Sequence, residues 1–155
     1  MKESGVSSKK HEVFNSFSRE YHYCLSFSWK VRKGLSNNIP FVRIKRYCDW
    51  FFDNYLNRLI NDEEEFLLPL LPEEGALVKK VRAEHRRFRR LFAEKKDLEK
   101  ALNHIEEELD RSIRFKERTL FSAIEKVASV EKLNQILALR DEMIFIENSA
   151  DEFWK

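Results

Sequence analysis

Between Tyr55 and Leu71 the chain reads YLNRLINDEEEFLLPLL, with apolar residues at Leu56, Leu59, Ile60, Phe66, Leu67 and Leu70. That spacing predicts a helix with one buried stripe, and a step of four from Leu59 puts Glu63 on it. An acid that faces a core needs a cation, a metal or a proton. Four other residues of ligating or reactive type share apolar stripes. His22 falls on the face of Leu25 and Trp29, and His85 on that of Val78, Val81, Phe88 and Phe92. Ser112 and Lys116 take two consecutive places in the series Leu98, Leu102, Ile105, Leu109, Leu120 and Ile124. At a similar depth, these five side chains would form one polar site inside an apolar core.

Two chemistries are open to such a site. Carboxylate and imidazole groups can ligate a cation, or the Lys116 ammonium can give Glu63 a countercharge and hydrogen-bond donors. A competing arrangement has both helices slightly rotated, so that Glu63 and Lys116 snorkel to solvent. For His22 and His85 the competing reading is a hydrogen-bonded core histidine, with His85 against Glu63. Ser112 with His85 lacks the third group and oxyanion donors of a nucleophile pair, so no enzyme is expected.

The elements that would position these residues follow from the same periodicity. Residues 1–13 are polar and read as a mobile tail, and residues 14–155 as one domain. A first helix carries Phe14, Phe17, Tyr21, Cys24, Leu25 and Trp29 and ends near Gly34. Pro40 opens a second, whose stripe runs from Ile44 through Cys48, Phe52, Tyr55 or Leu56, Leu59 and Glu63 to Leu70, with a kink at Pro69. The third carries His85, and the fourth begins near Asp97. Ser129 caps a shorter fifth helix through Val130, Leu133, Ile136, Leu137 and Ile144. The aromatics Phe153 and Trp154 are expected to fold back onto the domain. Short links make the expected architecture an up-and-down antiparallel four-helix bundle with a short fifth C-terminal helix.

Composition agrees with an all-α chain: 3 Gly and 3 Pro among 155 residues, 36% charged, with 13 Phe to fill one core. A net charge of +2 gives no scaffold for nucleic acid. The run HRRFRR with Arg82 and Lys95 reads as a solvated face, because Glu63 to Glu65, Glu73, Glu74 and Glu106 to Glu108 offer partners. No apolar run approaches the roughly 20 residues that span a bilayer. Cys24 and Cys48, both on apolar stripes, suit a reducing compartment, and the expected setting is cytoplasmic.

Several stretches together resemble the hemerythrin-like (HHE cation-binding) family. EYHYCLSFSWKVRKGL is similar to that family's His-bearing first helix, NDEEEFLLPLL to its acidic second, AEHRRFRRLF to its third and SIRFKERTLF to its fourth. The ending DEFW resembles a subgroup of bacterial members. The resemblance implies a four-helix bundle around a pair of iron ions, with His-x-x-x-Glu on the second and fourth helices and a histidine on each of the others. His22, Glu63 and His85 match this pattern. Leu59 stands in place of the second helix's His, Ser112 in place of the fourth's His and Lys116 in place of its Glu.

The resemblance therefore implies a degenerate ligand set. The expectation is a bundle that has lost its di-iron site, holds a Glu63–Lys116 pair instead and needs no cofactor. Its role would be structural, regulatory or partner-binding, as a monomer or weak homo-oligomer with an unidentified protein partner, away from membranes and nucleic acid. The alternative is a metal-binding protein with an altered, mononuclear or incomplete iron site on His22, Glu63 and His85, in oxygen, nitric oxide or iron handling.

Overall fold

A computed structural model describes residues 10–155, and all regular structure among them is helical. Residues 1–9 of the expected N-terminal tail lie outside the described residues. Helix α1 (Glu12–Ser36) starts earlier than the apolar pattern indicates, because His11 serves as its cap: Nδ1 accepts from the Val13 N–H at 3.0 Å. Val13, assigned from sequence to the tail, is fully buried. The helix ends in a turn where Asn38 takes φ 56°, a left-handed conformation that Asn tolerates.

Pro40 sits at the cap position and opens one continuous helical rod. Its parts are α2 (Phe41–Phe51), a π-helical segment (Phe52–Leu56), α3 (Asn57–Asp62), a second π-helical segment (Glu63–Leu67) and a closing 3-10 turn (Leu68–Leu70) around Pro69. The first wide turn delays the buried stripe. Phe51 is buried and the next buried residue is Leu56, a step of five, so Phe52 and Tyr55 stand half out of the core rather than in it.

After a tight link, α4 (Ala76–Ala93) returns. Asp97 then caps α5 (Leu98–Phe115) by accepting from the Lys100 N–H, and a third π-helical segment (Lys116–Leu120) carries that helix into α6 (Phe121–Val127). Ser129 caps α7 (Val130–Leu139) as expected. That helix stops at Leu139, short of Ile144, which is 79% exposed in a segment without regular secondary structure.

Side-chain contacts run in opposite order along successive long helices. Phe27 stacks on Phe51 while Tyr21 reaches Glu63. His85 meets Glu63 while Arg89 meets Asn57, and Arg87 pairs with Glu108 while Ser112 donates to Glu84. Arg32 pairs with Glu106 while Phe14 packs on Phe121, which returns the fourth long helix to the first. The core so enclosed is dominated by aromatic and aliphatic side chains, each contributing about 1.5–3 kcal/mol when fully buried.

The chain after α7 lies back along α1 and α2. The buried Arg140 guanidinium donates to Glu20, to Asp62 Oδ2 at 3.2 Å and to Ser16 Oγ at 2.8 Å. Glu147 takes Lys30 as its ion pair and accepts from the Tyr47 hydroxyl at 2.6 Å. Phe153 and Trp154 are buried, as their fold-back required. Gly34 makes room for Phe153, since a Cβ there would lie 2.7 Å from its ring.

Candidate functional site: a buried polar quartet

Glu63 and Lys116 each open a π-helical segment, on the second and fourth long helices. Such wide turns recur at functional positions because they redirect side chains and interrupt the regular hydrogen-bond ladder. Here they aim a carboxylate and an ammonium at one another. Lys116 Nζ donates to Glu63 Oε1 at 2.7 Å, with the two side chains 3% and 0% exposed. Snorkelling is thereby ruled out for both.

His85, from the middle of α4, is the second partner. Its Nε2 lies 2.7 Å from Glu63 Oε1 and its Nδ1 lies 2.6 Å from Glu64 Oε2. A carboxylate only accepts, so both contacts are satisfied together when each ring nitrogen carries a proton. In that state two carboxylates face two cations, although Lys116 Nζ and His85 Nε2 are 3.3 Å apart. Tyr21 completes the group from α1, its hydroxyl donating to Glu63 Oε2 at 2.5 Å.

Electrostatics follow from this geometry. Burial pushes the Glu63 carboxyl up, but the Lys116 charge and the His85 hydrogen bond outweigh it and bring the carboxyl down to about 2. Burial and the neighbouring Glu63 charge push the Tyr21 phenol well above its ordinary value.

The remaining sequence candidates lie elsewhere. His22 is exposed, which corrects its inward placement. The buried stripe of α1 runs through Phe17, Tyr21, Cys24, Phe27 and Val31, so the adjacent His22 turns to solvent, as does Trp29 at 48% exposure. Leu59 is buried one turn before Glu63. Ser112 is buried too, but its hydroxyl donates to Glu84 Oε1 at 2.6 Å and makes no hydrogen bond to His85.

These residues fit a resident metal poorly. Glu63 Oε1 already accepts from Lys116 and His85, Oε2 accepts from Tyr21, and the ammonium stands against the carboxylate where a cation's charge would be needed. Among the described residues, no three His, Cys, Asp or Glu side chains converge as a set able to hold a metal ion.

The basic run on α4 is partnered at three positions, Arg82, Arg87 and Arg89. Arg82 approaches Glu64 and Glu73 at 3.7 Å, Arg87 grips Glu108 with two bonds, and Arg89 donates to Asn57 and Asn61. Tyr21 and Glu64 were missed as site residues, and so was the Arg140–Glu20–Asp62 cluster. Ser16 and Glu20, four apart and leading to Cys24, carried a readable signal, because they place polar groups on the buried side of α1.

No family model, curated protein or solved structure matches the chain. Among the described residues no helix is long and apolar enough to cross a membrane.

Proposed function

We propose that this chain is an up-and-down four-helix bundle of hemerythrin-like construction in which a lysine closes the place of a metal centre. Its role is structural, regulatory or partner-binding rather than enzymatic. The observation that carries this reading is the buried 2.7 Å contact between Lys116 and Glu63, braced by His85 and Tyr21. An ammonium there supplies the charge and the donors that a carboxylate in a core requires. The antiparallel order of contacts along the long helices supports the bundle topology. The altered iron site on His22, Glu63 and His85 finds no such support, since His22 is exposed. A reducing, cytoplasmic setting belongs to the same proposal. Both cysteines are free and buried, and burial pushes their thiols far up, away from reactivity.

The test is metal content. Protein purified from iron-supplemented cells is expected to carry iron, zinc or manganese well below one ion per chain, with no change of melting temperature on chelation. Stoichiometric metal that survives dialysis would end this reading.

A further inference from the structure

A second feature of the molecule lies outside the buried quartet. A cleft of about 300 Å³ opens between α4 and the α5 helix with its π-helical extension, a volume at the lower end of the range for small-ligand sites. Its apolar floor comes from Phe88, which is buried, and Phe115, over whose ring Lys80 Nζ sits 4.6 Å from the centroid.

The charges around this floor are unequal, four cations against two carboxylates. Both carboxylates are already engaged. Glu84 holds Lys80 at 2.7 Å and accepts from Ser112, and Glu108 holds Arg87 through two bonds while meeting His104 at 3.1 Å. Lys80 and Arg87 are thus fixed as walls of the cleft. Arg118 stands exposed at the rim and has no acidic partner among the described residues. Arg111 is tied only to the exposed Glu107 at 3.1 Å. An exposed guanidinium without a counterion at the rim of a cleft floored by two aromatic rings suits a flat apolar body carrying a negative group, which the fork can grip with two bonds.

We propose that this cleft binds a small anion with a flat apolar body, of the aromatic carboxylate or aryl phosphate type, with Arg118 as its main cationic contact and Phe88 and Phe115 as its apolar seat. The site is independent of the Lys116–Glu63 reading, and its test does not depend on metal content.

The experiment is a titration of ¹⁵N-labelled full-length protein at constant ionic strength with four probes: benzoate, phenyl phosphate, inorganic phosphate and benzyl alcohol. The expected result is saturable shifts at Ser112, Phe115 and Arg118 with at least one aromatic anion, bound about tenfold more tightly than inorganic phosphate or benzyl alcohol. Whether benzoate or phenyl phosphate binds better identifies the head group. Arg118→Gln should weaken that anion by about tenfold. Arg86→Gln, at an exposed position on α4 outside the cleft, should leave it unchanged. Aromatic anions that bind no better than inorganic phosphate would overturn the site. So would an Arg118→Gln variant that remains folded and binds as tightly as the parent, or an equal loss in Arg86→Gln.

Discussion

Lys116 meets Glu63 across the core from a helix 53 residues away in sequence, and each of the two residues opens a π-helical segment. The pair is not isolated. Glu63 Oε1 is shared with His85 and Oε2 is held by Tyr21, so removing any one member strands the others in an apolar interior.

Lys116→Met should cost about 3–5 kcal/mol at neutral pH, the scale for leaving one charge of a buried pair uncompensated. Its pH dependence should also change sign. In the parent the Glu63 carboxyl is lowered from 4.5 to about 2, so its contribution is present above 4.5 and fades as pH falls toward 2. Without Lys116, burial becomes the dominant influence and lifts the carboxyl above its ordinary value. The variant should then gain stability on mild acidification, relative to the parent. Urea unfolding of both proteins between neutral pH and mild acid measures this, and a penalty no larger than about 1 kcal/mol with no pH dependence would match a surface pair instead.

Tyr21→Phe deletes only the hydroxyl that donates to Glu63 Oε2. A hydrogen bond to a charged group predicts a loss of about 1.5–3 kcal/mol. Because the folded phenol is raised well above 10, its contribution is complete below 10 and is lost as pH climbs beyond. The parent should therefore lose stability in alkali more steeply than Tyr21→Phe, as read by denaturant unfolding at several alkaline pH values.

Helix periodicity carried much of this arrangement and failed where the period itself changes. Glu63, His85 and Lys116 could be read as inward because steps of three and four from apolar neighbours put them on buried stripes. Phe52 was misplaced because the π-helical segment Phe52–Leu56 stretches one step to five, a local widening that no single residue type announces. His22 was misplaced because Leu25 and Trp29 suggested a stripe about 100° away from the buried one. The burial of Tyr21 could be read from the stripe, but not its bond to Glu63, since a tyrosine on a stripe gives no sign of where its hydroxyl points. Arg140 follows the end of α7, where periodicity has nothing left to say.

Arg140 gives the third prediction. Its guanidinium is 1% exposed, lies 3.7 Å from the centroid of the Phe17 ring and is the cation for both Glu20 and Asp62. Arg140→Met should cost about 3–5 kcal/mol and loosen the irregular segment that follows. Amide exchange at Met143, whose N–H donates to Glu20 Oε2 at 2.7 Å, should accelerate along with that of Ile146, whose N–H donates to Tyr55. Arg19→Gln serves as the control. Arg19 also reaches this segment, at Glu142, but its side chain is 50% exposed, so the loss should stay within about 1 kcal/mol.

The last prediction tests whether the quartet stands where a metal centre could. Leu59, Ser112 and Lys116 are all buried, and Leu59 and Ser112 each sit one turn before a site residue, Glu63 and Lys116 respectively. In the variant Leu59→His, Ser112→His, Lys116→Glu, each of these two helices therefore offers an imidazole and a carboxylate four residues apart on one face. His85 adds a third imidazole. His22 adds none, because it faces solvent, so Tyr21→His is the change that would bring a fourth from α1. Removing the ammonium also removes the charge that repels a cation, and carboxylate with imidazole suits iron or another divalent ion. Lys116→Glu alone should fail to bind and should lose stability, because it sets two carboxylates against each other with too few neutral ligands. Metal stoichiometry and the metal-dependent rise in melting temperature should separate the parent and the single variant from the triple and quadruple variants, since an ion bound only by the native state must stabilise it. Folded triple and quadruple variants that take up no metal would mean that these positions do not converge, and the reading of Lys116 as the replacement for a metal centre would fall with them.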